Sequence, residues 1–253
     1  MPKLVQLTRW AFPQGIVDAF RQLLLFAGAY YAYRIVRGAV DGQANVAFEH
    51  GRDLIDAERA MGLFVEPDIQ QWAMSVQPVI DVANFMYVNS HFMITTTFLI
   101  WLYFARNEAF YYVRNMFMVA MGIALVLYVL YPTAPPRFYP EWGFTDSVVE
   151  FVGQQASQSA GALYNPFAAI PSMHIAFALM IAIPAARLVK WRGLKAFWCV
   201  YPLLVTFIVI ATGNHFWIDA VAGAATAGAA AWAATYALAR ARPQAWAWHG
   251  APA

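Results

Sequence analysis

His215 and Asp219 stand four residues apart in the stretch Gly213-Asn214-His215-Phe216-Trp217-Ile218-Asp219, at the mouth of an apolar run. On a helix that spacing puts both side chains on one face. The carboxylate can then accept a proton from one ring nitrogen and leave the other as a neutral nucleophile, a pair able to attack phosphorus. Two further polar islands, Pro135-Pro136-Arg137 and Pro171-Ser172-Met173-His174, also sit at the ends of apolar runs. In the second, Pro suits a first helical turn and Ser a cap, and the N–H groups beside them make an anion site. His174 on that turn can protonate a leaving alkoxide. Arg137 offers a planar fork to two phosphate oxygens. Each has a plainer reading: an interhelical His–Asp bond, a simple helix cap at Ser172, a packed His174, a headgroup contact at Arg137.

The elements that must position these residues belong to a membrane. Of 253 residues, 61% are hydrophobic and 12% charged, against about 25% charged in soluble domains. The composition implies an all-α, polytopic membrane protein. A net charge of +2 without a basic stripe excludes nucleic acid as a partner. Cys199 is the single cysteine, so neither an internal disulfide nor a Cys-based metal site is expected. Met1 to Gln14 carries Lys3 and Arg9 but no pattern of a cleaved signal, and the first span is expected to act as an uncleaved one.

Six stretches approach the ~20 apolar residues that cross a bilayer: near Ile16–Ile35, Val79–Phe104, Phe110–Leu130, Pro171–Leu188, Leu194–Thr212 and Phe216–Leu238. The excess of Lys and Arg on one set of connections places both termini in the cytoplasm and all three polar islands at the outer face of the cell membrane. Asp41 to Gln77 is acidic, with an amphipathic helix over Asn45–Met61 ending at Gly62 and a short one restarting at Pro67. It reads as a solvated outer cap, with direct substrate contact as the alternative. In the connection Tyr131 to Ile170, Val148, Phe151 and Val152 suggest a short amphipathic turn, and Ser157–Gly161 reads as flexible. The tail after Pro243 reads as disordered or interfacial. Ala and Gly over Ala220–Ala234 suit close helix packing in lipid.

In this order and spacing, P-P-R, P-S-x-H and H-x-x-x-D resemble the type 2 phosphatidic acid phosphatase superfamily over residues 131–223. Tyr131-Pro132-Thr133-Ala134-Pro135-Pro136-Arg137 and Glu58-Arg59-Ala60-Met61-Gly62-Leu63-Phe64 resemble the branch holding inositol phosphorylceramide synthase. The resemblance implies a metal-independent reaction in two steps, with no cofactor. His215 becomes a phosphohistidine, Asp219 orients it, His174 is acid and then base, and Arg137 holds the phosphoryl oxygens. Many phosphatases of that superfamily carry a lysine seven residues before the arginine and an arginine six before the nucleophile. Leu130 and Val209 stand there instead. A phosphomonoester carries about −1.5 to −2 charges, as phosphorylated side chains do, and a diester about one. A cradle with one clear arginine therefore suits a phospholipid diester and transfer of its headgroup phosphorus to a lipid or polyol alcohol. A phosphatase acting on phosphatidic acid or a polyprenyl phosphate is the alternative.

Asn89 and His91 lie in the outer half of the second span. They, Asn214 and Arg59 are candidate contacts for a headgroup or acceptor, with an interhelical hydrogen bond the plainer reading of His91. A haem or metal protein built on His91, His174 and His215 is a reading from another class, but it leaves Ser172 and Arg137 without a purpose; a transporter is a third, but the polar groups gather at one face, which fits surface catalysis better than a midplane site.

Overall fold

The computed structural model describes residues 12–40, 43–153, 166–238 and 240. Among them the regular elements are helical, with one isolated parallel bridge between Thr133 and Ala168. The Ser157–Gly161 segment and the tail after Pro243 lie outside the described residues, as does most of Met1 to Gln14.

The order is α1 (Ile16–Val40), α2 (Ala44–Ala60), α3 (Glu66–Ser75), α4 (Gln77–Phe85), α5 (His91–Ala105), α6 (Asn107–Leu130), α7 (Ser147–Val152), α8 (Met173–Leu188), α9 (Arg192–Ala211) and α10 (Trp217–Trp232). Among the described residues α6, α9 and α10 with its π-helical extension to Leu238 are long and apolar enough to cross a membrane. Helix α8 is apolar but starts only after its Ser172 cap, and its 16 residues cover about 24 Å at 1.5 Å each, less than the ~30 Å hydrocarbon core. Two expected spans differ for identifiable reasons. Asp18, Arg21, Arg34 and Arg37 interrupt the apolarity of α1. The stretch expected as Val79–Phe104 is divided by a π-helical turn, Met86–Ser90, where the His91 N–H bonds the Met86 carbonyl five residues back.

Helix α8 sits at the centre of the bundle, packed on α9, α10, α6 and α5. It buries Ala176, Ala178, Ala182 and Ala185, small side chains that let neighbouring backbones approach. Far from the polar islands, the Arg114 guanidinium of α6 donates to Gln22 of α1 at 2.6 Å and Tyr111 donates to Asp18 at 2.6 Å, tying the first helix to the bundle.

A second, aromatic layer closes the other end. Leu54 and Ile55 of α2, Tyr139 and Phe144 of the long connection, and Phe216 before α10 are buried together. Helix α2 stops in a Schellman turn: Gly62 takes a left-handed φ of 69°, its N–H bonds Arg59 O at 3.0 Å, and Leu63 N–H bonds Glu58 O at 2.8 Å. Pro67 and the acids Glu66 and Asp68 then start α3. Gln70 of α3 clamps the connection, donating to Thr145 O at 2.9 Å and accepting from Thr145 N–H at 3.0 Å. Glu49, Asp53, Asp56 and Asp68 of this stretch are exposed, as in a solvated cap, but Glu58, Glu66 and Gln70 turn inward and are fully buried.

The crossing of α10 over the start of α8 depends on Gly223. A Cβ there would run into the Ser172 carbonyl oxygen and come within 3.2 Å of Ile175 Cβ, whereas at Gly228 it would meet nothing within 4 Å. Gly223→Ala is expected to destabilise the protein by about 1–3 kcal/mol and Gly228→Ala to stay within about 1 kcal/mol of wild type. Thermal unfolding of both variants in detergent checks this, and equal melting temperatures would contradict the close approach.

Candidate active site

Helix α9 ends in a second Schellman turn. Gly213 has φ 68°, its N–H bonds Ile210 O at 2.9 Å, and Asn214 N–H bonds Val209 O at 2.9 Å. This turn throws Asn214 and His215 out ahead of α10, which begins at Trp217 with Phe216 as its cap. His215 therefore precedes the helix, and the shared helical face expected for His215 and Asp219 does not form. The two meet because Asp219, in the first turn, reaches back. Its Oδ2 accepts the Phe216 N–H at 2.9 Å and lies 3.3 Å from His215 Nδ1. Both residues are buried. A carboxylate only accepts, so the bond requires the proton on Nδ1 and leaves the lone pair on Nε2.

The other two islands join this turn. Ser172 is buried as the cap of α8; its Oγ accepts the Ile175 N–H in a long contact of 3.5 Å, and its N–H donates to the Asp219 carbonyl at 3.0 Å. The peptide bond before Pro171 is cis, and Tyr128 donates to the Pro171 carbonyl at 3.2 Å. His174, in the first turn of α8, faces His215 with ring centroids 5.9 Å apart. Its ring stacks on Tyr87 at 4.7 Å and lies 5.1 Å from that of His91. The π turn brings Tyr87 and His91 to the same imidazole. His91 Nδ1 in turn lies 2.8 Å from the Tyr201 hydroxyl.

Arg137 is held from three sides. Its backbone N–H bonds Gly213 O at 2.8 Å, Nη1 donates to Asn214 Oδ1, and Nε pairs with Asp146 Oδ2 at 3.3 Å, leaving the side chain 7% exposed. Asn214 Nδ2 donates to Thr212 Oγ1 at 2.8 Å, so the whole amide is spent on orienting the arginine. Asn89 bonds the Phe85 carbonyl of its own helix at 3.4 Å. Arg59 is exposed and stacks over Trp142 at 4.8 Å. Among the described residues no group of three or more His, Cys, Asp or Glu side chains is arranged to hold a metal ion.

Sequence reasoning missed Glu58 and Glu66. Glu58 Oε1 accepts the Ile218 N–H at 2.8 Å and Glu66 Oε1 the Trp217 N–H at 3.0 Å, both from the first turn of α10. Burial, the Glu66 carboxyl beside it and the charge of Asp219 together push Glu58 up to about 9. A signal was present: Glu58 lies four residues after Leu54 and three after Ile55, on the apolar face of α2.

A sequence model of the PAP2 superfamily matches residues 52–233, a stretch holding every residue of this site. The chain belongs to the PAP2 superfamily. Members of the PAP2 superfamily are generally phosphatases or phosphotransferases, and the apolar helices long enough to cross a bilayer mark this PAP2 protein as a membrane protein. No curated protein and no solved structure matches it.

In this PAP2 protein Asp219→Asn removes the negative charge beside His215 Nδ1 and puts an NH₂ donor in place of one carboxylate oxygen, so that with its oxygen on the Phe216 N–H the amide faces the imidazole with a donor and favours the other tautomer. Turnover is expected to fall about 10²–10⁴-fold with the melting temperature nearly unchanged. Steady-state kinetics beside thermal unfolding checks this; an unchanged rate would reduce Asp219 to a structural cap.

Proposed function

We propose that the protein is an integral-membrane lipid phosphotransferase of the branch resembling inositol phosphorylceramide synthase, working at the outer face through a phosphohistidine at His215. The observation that carries the reading is the pair of imidazoles 5.9 Å apart, with Asp219 Oδ2 3.3 Å behind one of them. A phosphoryl group in near-attack contact with one ring nitrogen, about 3–3.5 Å, can place its leaving oxygen within hydrogen-bond reach of the other ring. His215 Nε2 attacks phosphorus, the bond to the leaving alcohol breaks, and His174 donates the proton that alcohol takes. An acceptor hydroxyl then gives its proton to His174 and attacks phosphorus, the N–P bond breaks, and His215 is restored.

The two helix starts at the site are used differently. At α10 the N–H groups of Phe216, Trp217 and Ile218 are each taken by a side-chain carboxyl oxygen. At α8 the first-turn N–H groups of Met173 and His174 have no intrahelical acceptor, and there, with Arg137 and Ser172, the phosphoryl oxygens bind. The charge of the cradle favours a diester. Arg137 is offset by Asp146 at 3.3 Å, Leu130 is exposed, and Val209 is a buried aliphatic whose carbonyl receives the Asn214 N–H. Six crossings with both termini cytoplasmic, as the distribution of Lys and Arg favours, put this layer outside. Tails lie in the outer leaflet, and His91 and Asn89 remain candidate contacts for the headgroup or acceptor.

Purified protein in detergent, given a phospholipid diester or a lipid phosphomonoester with and without acceptor alcohols, is expected to move phosphorus from the diester to the alcohol. His215→Ala is expected to abolish this while remaining folded. Free phosphate from the monoester alone would make the protein a phosphatase, and full activity in His215→Ala would refute the nucleophile.

A further inference from the structure

Glu58 and Glu66 come from different helices of the outer layer and cap adjacent N–H groups of α10, each through Oε1. Both residues are fully buried, and the remaining oxygen of each, Oε2, is also buried without a hydrogen-bond partner. As two carboxylates they would present two acceptors with nothing to accept, beside the buried Asp219. One proton between them satisfies both oxygens and removes one of three negative charges from the turn. The turn they hold carries Asp219, and Asp219 carries His215.

We propose that Glu58 and Glu66 share a proton and, as a neutral–anionic acid pair, position the first turn of α10 so that Asp219 and His215 stand in register for phosphoryl transfer. The two are positioning residues, and the inference rests on His215 and Asp219 being the reacting pair. The charged groups acting on Glu58 are Glu66 from α3 and Asp219 from α10; the Ile218 N–H opposes them in part. Burial and both negative neighbours hold the acid form to about 9, against 4.5 for an ordinary glutamate. The sign follows from which state keeps the proton. Unfolded chains release it near 4.5 while the folded protein retains it, so the pair's contribution to stability is complete below 4.5, falls as pH rises, and is gone above about 9. Ionisation of the folded pair near that upper limit places two like charges side by side and loosens the turn.

The test uses the full-length protein in detergent. Infrared difference spectra between ordinary and heavy water are expected to show a protonated carboxyl at pH 7 that Glu58→Gln and Glu66→Gln each remove. Glutamine supplies one donor and one acceptor, so each variant is expected to retain turnover within about threefold and to lose the decline in kcat that wild type shows as pH passes about 9. Glu58→Ala, which leaves Ile218 uncapped, is expected to lower kcat about 10²-fold with KM little changed. Absence of the carboxyl band in wild type overturns the proposal whatever the kinetics. Folded but inactive glutamine variants overturn it as well, since a neutral partner would then not suffice. Turnover surviving in His215→Ala is a separate failure, of the nucleophile reading, and leaves the carboxyl band in place.

Discussion

The start of the last helix is where the structure is decided. Three successive N–H groups, of Phe216, Trp217 and Ile218, point into the protein, and three carboxyl groups, of Asp219, Glu66 and Glu58, meet them. Any one would be an ordinary cap, worth about 0.5–2 kcal/mol, and the positive end of the helix favours negative charge there. Taken together they do more than satisfy donors. Asp219 ties the turn to the histidine before it, and Glu58 and Glu66 tie it to α2 and α3 of the aromatic layer. The acids cannot be exchanged for one another, because each arrives from a different element.

This arrangement divides labour between two helix ends a few ångströms apart. The α10 end is filled by the protein's own acids, while the α8 end, bonded to it through Ser172 N–H and the Asp219 carbonyl at 3.0 Å, has first-turn donors without an intrahelical acceptor, which the proposed mechanism gives to the phosphoryl oxygens. Close backbone contact makes this possible: Gly213 for the left-handed turn and Gly223 for the approach to Ser172. With Arg137 balanced by Asp146 and oriented by Asn214, the site is modest in positive charge, which is the support for proposing a diester substrate of about one negative charge.

What was legible in the sequence was local chemistry at helix ends. Gly62, Pro67 and Ser172 mark boundaries with the residue types that caps and turns demand, and the helices stop or start there. Arg137, His174, His215 and Asp219 stood out because polar residues at the ends of apolar runs need a reason. Long-range facts were not legible. The acidity of residues 41–77 suggested water, yet Glu58 and Glu66 find their partners 160 and 151 residues away. The π turn at Met86–Ser90 leaves no periodicity to read, although it aligns Tyr87 and His91 on His174. Asn214 reads as a free contact until the fold brings Arg137 to it, and Arg59 as a spare cation until it is found over Trp142.

The central claim is that phosphorus passes through His215. Rapid acid-free quenching of wild type with a phosphorus-labelled phospholipid, followed by peptide mass spectrometry, tests it directly. The account predicts label on the His215 imidazole, formed before product and discharged when an acceptor alcohol is added. Label on another residue, or product appearing with no labelled protein at any time, would contradict it.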